Sequence, residues 1–168
     1  MMNWDIKRWL RHEFTGKRAV ARVLPAESLQ RLTQLISESE RKHGGELRLV
    51  VEHALDLQWL WRGISPRARA LKIFSDLRIW DTEANNGVLI YLLFADRDVE
   101  IIADRGIDKI VGTEEWSRIC RLMEESFRQG NFEAGLSRGI SEITLHLEKH
   151  FPHRDDDVNE LPDAPFLM

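Results

Sequence analysis

Acidic and amide side chains gather at both ends of a hairpin that the sequence predicts. An apolar run over residues 87–95 follows directly after Asn85 and Asn86, and a second run over residues 98–104 ends at Asp104. An antiparallel hairpin brings the start of its first strand beside the end of its second, so Asn86 should lie near Asp104. Carboxylate and amide oxygens are the ligands that Ca²⁺ and Mg²⁺ prefer. These residue types therefore favour binding of a divalent cation.

Further oxygen ligands are expected at the same edge of the sheet. A strand predicted over residues 46–52 should run parallel to the first hairpin strand, which places the starts of both strands together. The candidate metal ligands are Glu46, Asp81, Asn85, Asn86, Asp104 and Asp108. Crowded carboxylates repel one another unless a cation or a proton lies between them, so the prediction is weak binding of Ca²⁺ or Mg²⁺. The alternative interpretation is a plain turn followed by a plain strand end.

The opposite tip of the hairpin provides an alternative site, formed by Asp96, Arg97 and Asp98. These side chains can hold a metal ion or a phosphate group, but they also make an ordinary charged turn that keeps a hairpin soluble. The sequence contains no P-loop, no Gly-x-Ser-x-Gly and no His-Glu-x-x-His motif. It therefore identifies no catalytic residue.

Hydrophobic periodicity predicts the elements that position these residues. Apolar residues at helical spacing predict helices at about 25–42, 66–80, 114–130 and 132–151, and the strands are expected at about 46–52, 87–95 and 98–104. The unbroken apolar strand at 87–95 belongs in the centre of the sheet, between the other two. The predicted fold class is α/β, a mixed sheet with a βαββ core flanked by helices, in a single compact domain.

The first strand alternates between apolar and charged residues. Leu47, Leu49 and Val51 should face the core, while the face that carries Glu46 and Arg48 should be mostly solvated.

Composition limits the class of protein. A chain of 168 residues with 43% hydrophobic residues is sufficient for one domain with a proper core. A net charge of −4 and a pI near 5.9 give no global field that would attract nucleic acid.

Cys120, the single cysteine, lies on an apolar helix face and is predicted to be a core residue. No apolar run is long enough to cross a membrane, so a soluble, cytoplasmic protein is expected.

The two ends of the sequence differ in charge. Residues 1–22 are basic and contain Trp4 and Trp9, residues 25–152 hold the predicted domain, and residues 153–168 are acidic, contain two prolines and are predicted to be a disordered tail. Residues 1–15 either pack on the domain as a helix or make a peripheral contact with an anionic membrane surface.

Several short motifs resemble the TPM domain family, in its short bacterial form, over about residues 25–152. The motifs are Gly45-Glu46-Leu47-Arg48, Arg69-Ala70, Phe74, Leu77, Trp80-Asp81-Thr82, Asn86-Gly87-Val88-Leu89, Asp104-Arg105-Gly106-Ile107 and Trp116. Longer relatives carry an extra Asp before the Asp-Arg pair of the hairpin, whereas this turn has only Asp96-Arg97-Asp98.

The resemblance implies an α/β fold with a mixed sheet and flanking helices, together with divalent-metal binding. It also implies a relation to thylakoid-lumen acid phosphatases and photosystem II repair proteins. Three hypotheses are open at this point: a cation-binding module with a protein or membrane-associated partner, a metal-assisted acid phosphatase, and an assembly or repair factor that docks to membrane complexes.

Overall fold

One mixed sheet forms the centre of the computed structural model, which describes residues 6–168. Its strands are β1 (Glu46–Glu52), β2 (Gly87–Leu93), β3 (Asp98–Ala103) and β4 (Phe166–Leu167), in the order β3-β2-β1-β4. β2 pairs parallel with β1 and antiparallel with β3, and β4 pairs parallel with β1. The predicted mixed α/β fold, with β2 between β1 and β3, is confirmed.

Helices surround this sheet. They are α1 (Ile6–Phe14), α2 (Lys17–Val23), α3 (Ala26–Glu40), α4 (Leu57–Trp61), α5 (Pro66–Asp76), α6 (Arg105–Val111), α7 (Thr113–Arg128) and α8 (Phe132–His150). The four long helices α3, α5, α7 and α8 correspond to the predicted ones, whereas α2, α4 and α6 are too short to give a helical period. No helix among residues 6–168 combines the length and the apolar character that crossing a bilayer requires. Trp4 lies outside the described residues.

β2 is buried on both faces, as its unbroken apolar run predicts. Val88, Ile90 and Leu92 pack into a core with residues of α3, α7 and α8, including Leu32, Ile36, Ile119, Met123, Leu136 and Ile140. Leu89, Tyr91 and Leu93 pack on the other side with residues that include Val50, Ala70, Ile73 and Ile79. The molecule therefore has three layers, with helices on both faces of the sheet.

The charged face of β1 is covered rather than solvated, which corrects the expectation for this strand. Glu46, Arg48 and Glu52 are buried, with 5%, 8% and 5% of their surface exposed. Glu52 accepts hydrogen bonds from the Arg69 guanidinium, at 2.7 Å, and from the Tyr91 hydroxyl, at 2.6 Å. The burial is possible because each charged group has polar partners that no alternation pattern reveals.

The carboxy-terminal residues cover the outer edge of β1, whereas their composition predicts disorder. Phe166 and Leu167 pair with Val50 and Val51 of β1. The preceding residues 160–164 are bound through their backbone to side chains of β1. Because main-chain groups make these contacts, an acidic and proline-containing composition does not prevent them.

Replacement of Ile90 by Asp should unfold the domain. Ile90 is fully buried in the centre of the sheet, and an unpaired charge there costs several kcal/mol, against a total stability of about 5–15 kcal/mol for a typical domain. Leu145→Asp is the matched control, because Leu145 is 61% exposed on α8. Circular dichroism during urea unfolding provides the measurement. A cooperative transition of undiminished stability in Ile90→Asp would contradict the three-layer arrangement.

Candidate functional site

The register of the sheet brings one set of predicted ligands to a common edge. Glu46 pairs with Gly87 across the parallel ladder. The Asp104 amide donates to the Gly87 carbonyl at 2.8 Å, and the Gly106 amide donates to the Asn85 carbonyl at 3.0 Å. A Cβ atom at Gly106 would lie 2.4 Å from the Asn85 carbonyl oxygen, so this close approach requires glycine. The ends of three strands thus meet, as the sequence predicts.

Asp104 has an unsatisfied oxygen at this edge. Oδ1 of Asp104 accepts a hydrogen bond from the Arg105 amide at 2.6 Å. Oδ2 is buried and has no hydrogen-bond partner. A buried carboxylate oxygen without a partner is costly, because its hydration has been lost and nothing replaces it. This oxygen is therefore the strongest candidate at the edge for binding a cation.

Asn86 is adjacent and joins β2 to the segment before β1. Its side-chain Nδ2 donates to the Gly44 carbonyl at 2.8 Å, and its main-chain amide donates to the Thr82 hydroxyl at 3.2 Å. The amide nitrogen is thus committed to the fold, and the amide oxygen is the atom of this side chain that suits a cation. Asn85, in the left-handed region with φ of 51°, forms the turn that precedes it.

The other three predicted ligands have protein partners. The two carboxylate oxygens of Glu46 each accept a main-chain N–H at 3.0 Å, from Glu160 and Leu161. Asp81 pairs with Arg78 at 2.7 Å on the surface, and Asp108 accepts from the Trp116 indole at 3.0 Å. Across residues 6–168 no three His, Cys, Asp or Glu side chains are arranged to hold a metal ion. A cation at this edge would therefore depend on Asp104, amide oxygens and water.

The alternative site at the hairpin tip is a docking point for α1. Asp96 lies 2.9 Å from Arg8 Nε, 3.1 Å from Arg11 Nη2 and 3.1 Å from His12 Nε2. His12 Nδ1 accepts the Leu55 amide at 2.9 Å, so its Nε2 carries the ring hydrogen. Burial raises the pKa of Asp96, but hydrogen bonds from His12 and Arg8 outweigh it and the pKa is lowered. Protein cations already balance this carboxylate.

The other two residues of the tip serve different purposes. Arg97 adopts the left-handed conformation, with φ of 54°, and thereby turns the chain into β3. Asp98 has one buried oxygen without a hydrogen-bond partner. Burial, together with repulsion from Glu100 and Glu124, raises the pKa of Asp98 to about 6.

A carboxyl cluster at the end of α3 was not predicted from the sequence. Glu40 accepts the Leu47 amide at 3.1 Å. Burial first, and the charges of Glu46 and Asp163 in addition, raise the pKa of Glu40 to about 9. Burial also raises the pKa of Glu46, to about 7. Asp163 is 123 positions after Glu40 in the printed sequence, so no local pattern indicates that the two meet.

A buried pair, Ser39 and His43, was also missed from the sequence. The direction of the hydrogen bond between them does not suit catalysis. Ser39 Oγ lies 2.7 Å from His43 Nε2, and His43 Nδ1 accepts the Gly45 amide at 3.2 Å. Nε2 therefore carries the hydrogen and donates to the serine, so it cannot take the serine's proton. Burial lowers the pKa of His43 to about 4, which keeps the ring neutral. The pair is a structural link between α3 and the start of β1.

Comparison with known proteins gives consistent results. The sequence profile of the TPM domain matches residues 19–145. The BA42 protein from the psychrophilic bacterium Bizionia argentinensis, solved by NMR, is 31% identical, and the match covers 85% of this chain and 94% of that one with a TM-score of 0.75. The N-terminal domain of a protein from P. gingivalis shares the fold at 22% identity, with a TM-score of 0.63 and coverage of 80% and 84%. Among curated proteins, none matches the sequence significantly.

The carboxyl cluster predicts that stability falls as the pH rises. The raised pKa of Glu40, about 9 against an ordinary 4.5, means that the folded state retains a proton that the unfolded state loses. The stabilisation is complete below about pH 4.5 and is lost as the pH approaches 9. We expect a loss of about 1–2 kcal/mol between pH 5.5 and pH 9, after allowance for screening by solvent.

Urea unfolding of the wild type and of Glu40→Gln at both pH values tests this. The amide resembles the protonated acid, so Glu40→Gln should lose less stability at pH 9. Glu27→Gln, at an exposed position of the same helix, should behave as the wild type does. An equal loss in all three proteins would assign the pH dependence to other groups.

Proposed function

Because this chain belongs to the TPM domain family, we propose that it is a binding module that takes a divalent cation, Ca²⁺ or Mg²⁺, at the sheet edge that carries Asp104. The observation that supports the proposal most directly is the buried Oδ2 of Asp104, which has no hydrogen-bond partner. A cation bound there would neutralise the carboxylate and replace its lost hydration.

The proposed ligands are few, which has a consequence for affinity. Asp104 supplies the charge, and the neighbouring Asn86, the residue before β2, supplies an amide oxygen. Glu46, Asp81 and Asp108 are occupied by the contacts described above. Since the affinity of oxygen sites for Ca²⁺ depends on the number of charged ligands, binding should be weak.

Binding without turnover is the simpler form of this proposal. A metal-assisted acid phosphatase needs a placed nucleophile or general base besides the ion. The serine and histidine pair near the edge has its hydrogen on the wrong nitrogen for that role. Magnesium-dependent release of phosphate from p-nitrophenyl phosphate, lost in Asp104→Asn, would establish the phosphatase alternative instead.

A calcium titration of the melting temperature tests the cation proposal. At ten times Kd a ligand that binds only the folded state adds about 1.4 kcal/mol, which corresponds to an increase of about 3–6 °C for a chain of this size. We expect this increase in the wild type and its loss in Asp104→Asn, which removes the charge and keeps the shape. Backbone NMR shifts should concentrate at Asn86 and Asp104.

Asp96→Asn is the control at the opposite end of the hairpin. It weakens the docking of α1 and lowers the starting melting temperature, but the increase on adding calcium should remain. Either of two results would overturn the proposal: a wild type that does not respond to calcium or magnesium, or a response that is lost in Asp96→Asn and retained in Asp104→Asn.

A second candidate function is contact with an anionic membrane surface, and the orientation of α1 favours it. The helix docks on Asp96 through its polar side chains, Arg8, Arg11 and His12. Three of its apolar residues, Ile6, Leu10 and Phe14, are instead 64%, 41% and 81% exposed, while Trp9 is half-buried. A surface helix normally buries its apolar face.

The apolar surface extends beyond α1 and has basic neighbours. α4 lies beside α1, and its Leu57 and Trp61 are 45% and 61% exposed. Lys7, Lys17 and Arg18 are exposed nearby in sequence. Apolar side chains bordered by cations are the combination that binds the interface of an anionic bilayer.

Sedimentation with lipid vesicles tests this second candidate. The wild type should bind phosphatidylglycerol vesicles several-fold more strongly than phosphatidylcholine vesicles, and 0.5 M salt should reduce the difference. Leu10→Asp should abolish binding, whereas Leu145→Asp, at an exposed position on α8, should not. Equal binding to neutral and anionic vesicles, or an unchanged Leu10→Asp variant, would remove the candidate.

A further inference from the structure

The last residues of the chain, 160–168, are held on β1 mainly by contacts to their main chain. Arg48 Nη1 donates to the carbonyls of Pro162, at 2.5 Å, and Ala164, at 2.6 Å. Glu46 accepts the amides of Glu160 and Leu161, at 3.0 Å each. Arg48 and Glu46 therefore bind main-chain carbonyl and amide groups, which every peptide segment possesses.

The end of the segment continues this pattern as a strand. Phe166 and Leu167 pair with β1, and the Met168 amide donates to the Val51 carbonyl at 2.9 Å. His53 binds the Met168 main-chain oxygen twice, through its own amide at 3.1 Å and through Nδ1 at 2.6 Å. Regular pairing is limited to two residues, and side chains of the domain replace the ladder along the rest of the edge.

Three side chains of the segment anchor it. Leu161 and Met168 pack against the core cluster on that face of the sheet. The Phe166 ring lies under the Arg48 guanidinium, with 5.8 Å between the guanidinium carbon and the ring centroid. Val158, just before the bound segment, is 75% exposed and makes no such contact.

Exposed residues connect the bound segment to α8. Residues 152–159 are exposed throughout, and their contacts with the domain include a single bridge between Pro152 and His43 and two long hydrogen bonds, from the His153 amide to the Lys42 carbonyl at 3.3 Å and from Asn159 Nδ2 to Glu40 at 3.4 Å. The edge beneath it needs an occupant, because removal of the segment would leave Glu46 and Arg48 without partners in a partly apolar setting. A free sheet edge is also a template for an added strand.

From these contacts we infer that the outer edge of β1 is a docking site for an extended segment of a partner protein, and that residues 160–168 fill the site within the same chain. The partner segment adds as a strand, a known mode of peptide recognition in which main-chain bonds provide affinity and side-chain pockets provide specificity. It requires large apolar residues at the spacing of Leu161, Phe166 and Met168. Prolines are tolerated at the positions of Pro162 and Pro165, as they are in the chain itself.

The segment of the same chain is a strong competitor. A tethered segment acts at an effective concentration of about millimolar, so a free peptide should displace it only when the contacts of the tethered segment are weakened. This relation makes the inference testable with the full chain and with a synthetic peptide of residues 158–168 as the probe.

The experiment compares three forms of the ¹⁵N-labelled full chain. The double substitution Leu161→Asp with Met168→Asp removes two anchors of the tethered segment and replaces no residue of β1 or of the helices. Val158→Asp is the matched control, because it adds a charge at an exposed position. We expect the wild-type peptide to bind the double variant at least tenfold more tightly than the wild type or Val158→Asp, with NMR shifts at Val50, Val51 and His53. A scrambled peptide should bind less tightly, and Arg48→Met in the double variant should reduce binding at least tenfold.

Three other results of this experiment would overturn the inference. A double variant that stays folded and does not bind the peptide would show that residues 160–168 only complete the fold. If the double variant unfolds and excess peptide does not restore its melting temperature, the conclusion is the same. A dimer that dissociates on dilution, detected by light scattering, would assign the edge to exchange between two copies of this chain. Asp104 has no role in these contacts, so the result is independent of the calcium titration.

Discussion

Burial of β2 on both faces is the constraint on which the rest of the structure depends. A strand with no charged side chain and a single hydroxyl, that of Tyr91, must be covered on both faces, so α3, α7 and α8 pack on one face and α5 on the other. Its two hydrogen-bonding edges must also be paired, and β1 and β3 provide the partners. Because β1 is parallel and β3 antiparallel, the beginnings of two strands and the end of the third meet at one edge. The position of Asp104 follows directly from this arrangement.

Charged groups are placed according to the same logic, because each buried charge needs a partner. Glu52 is joined to Arg69 and Tyr91 inside the second layer, and Asp96 is joined to the Arg8 and Arg11 cations of α1. Glu40 instead retains its proton, since burial raises its pKa to about 9. Asp104 is different from these three, because its buried Oδ2 has no hydrogen-bond partner; one oxygen of Asp98 shares this feature, but burial raises the pKa of Asp98 to about 6. That difference separates a structural carboxylate from a candidate ligand.

The two surfaces proposed for binding share a physical origin. On β1, charged side chains hold the main chain of the last residues, and the apolar anchors of that segment complete the core. On α1, charged side chains also hold the helix to the domain, and Ile6, Leu10 and Phe14 then remain exposed. In both places polar side chains provide attachment that apolar packing usually provides, and on α1 this leaves apolar surface available for a lipid interface.

The sequence by itself determined the central strand, its antiparallel partner, the four long helices and the edge at which Asn86 and Asp104 meet, because hydrophobic period and turn residues are local signals. Family membership was visible for the same reason, in short motifs around those elements. Only the tertiary structure decided which carboxylates are free. Glu46 is bound by residues more than a hundred positions later, Asp96 by a helix at the opposite end of the chain, and the acidic tail is ordered by Arg48. Such pairings depend on distant segments meeting after the sheet has formed, and neither composition nor periodicity carries that information.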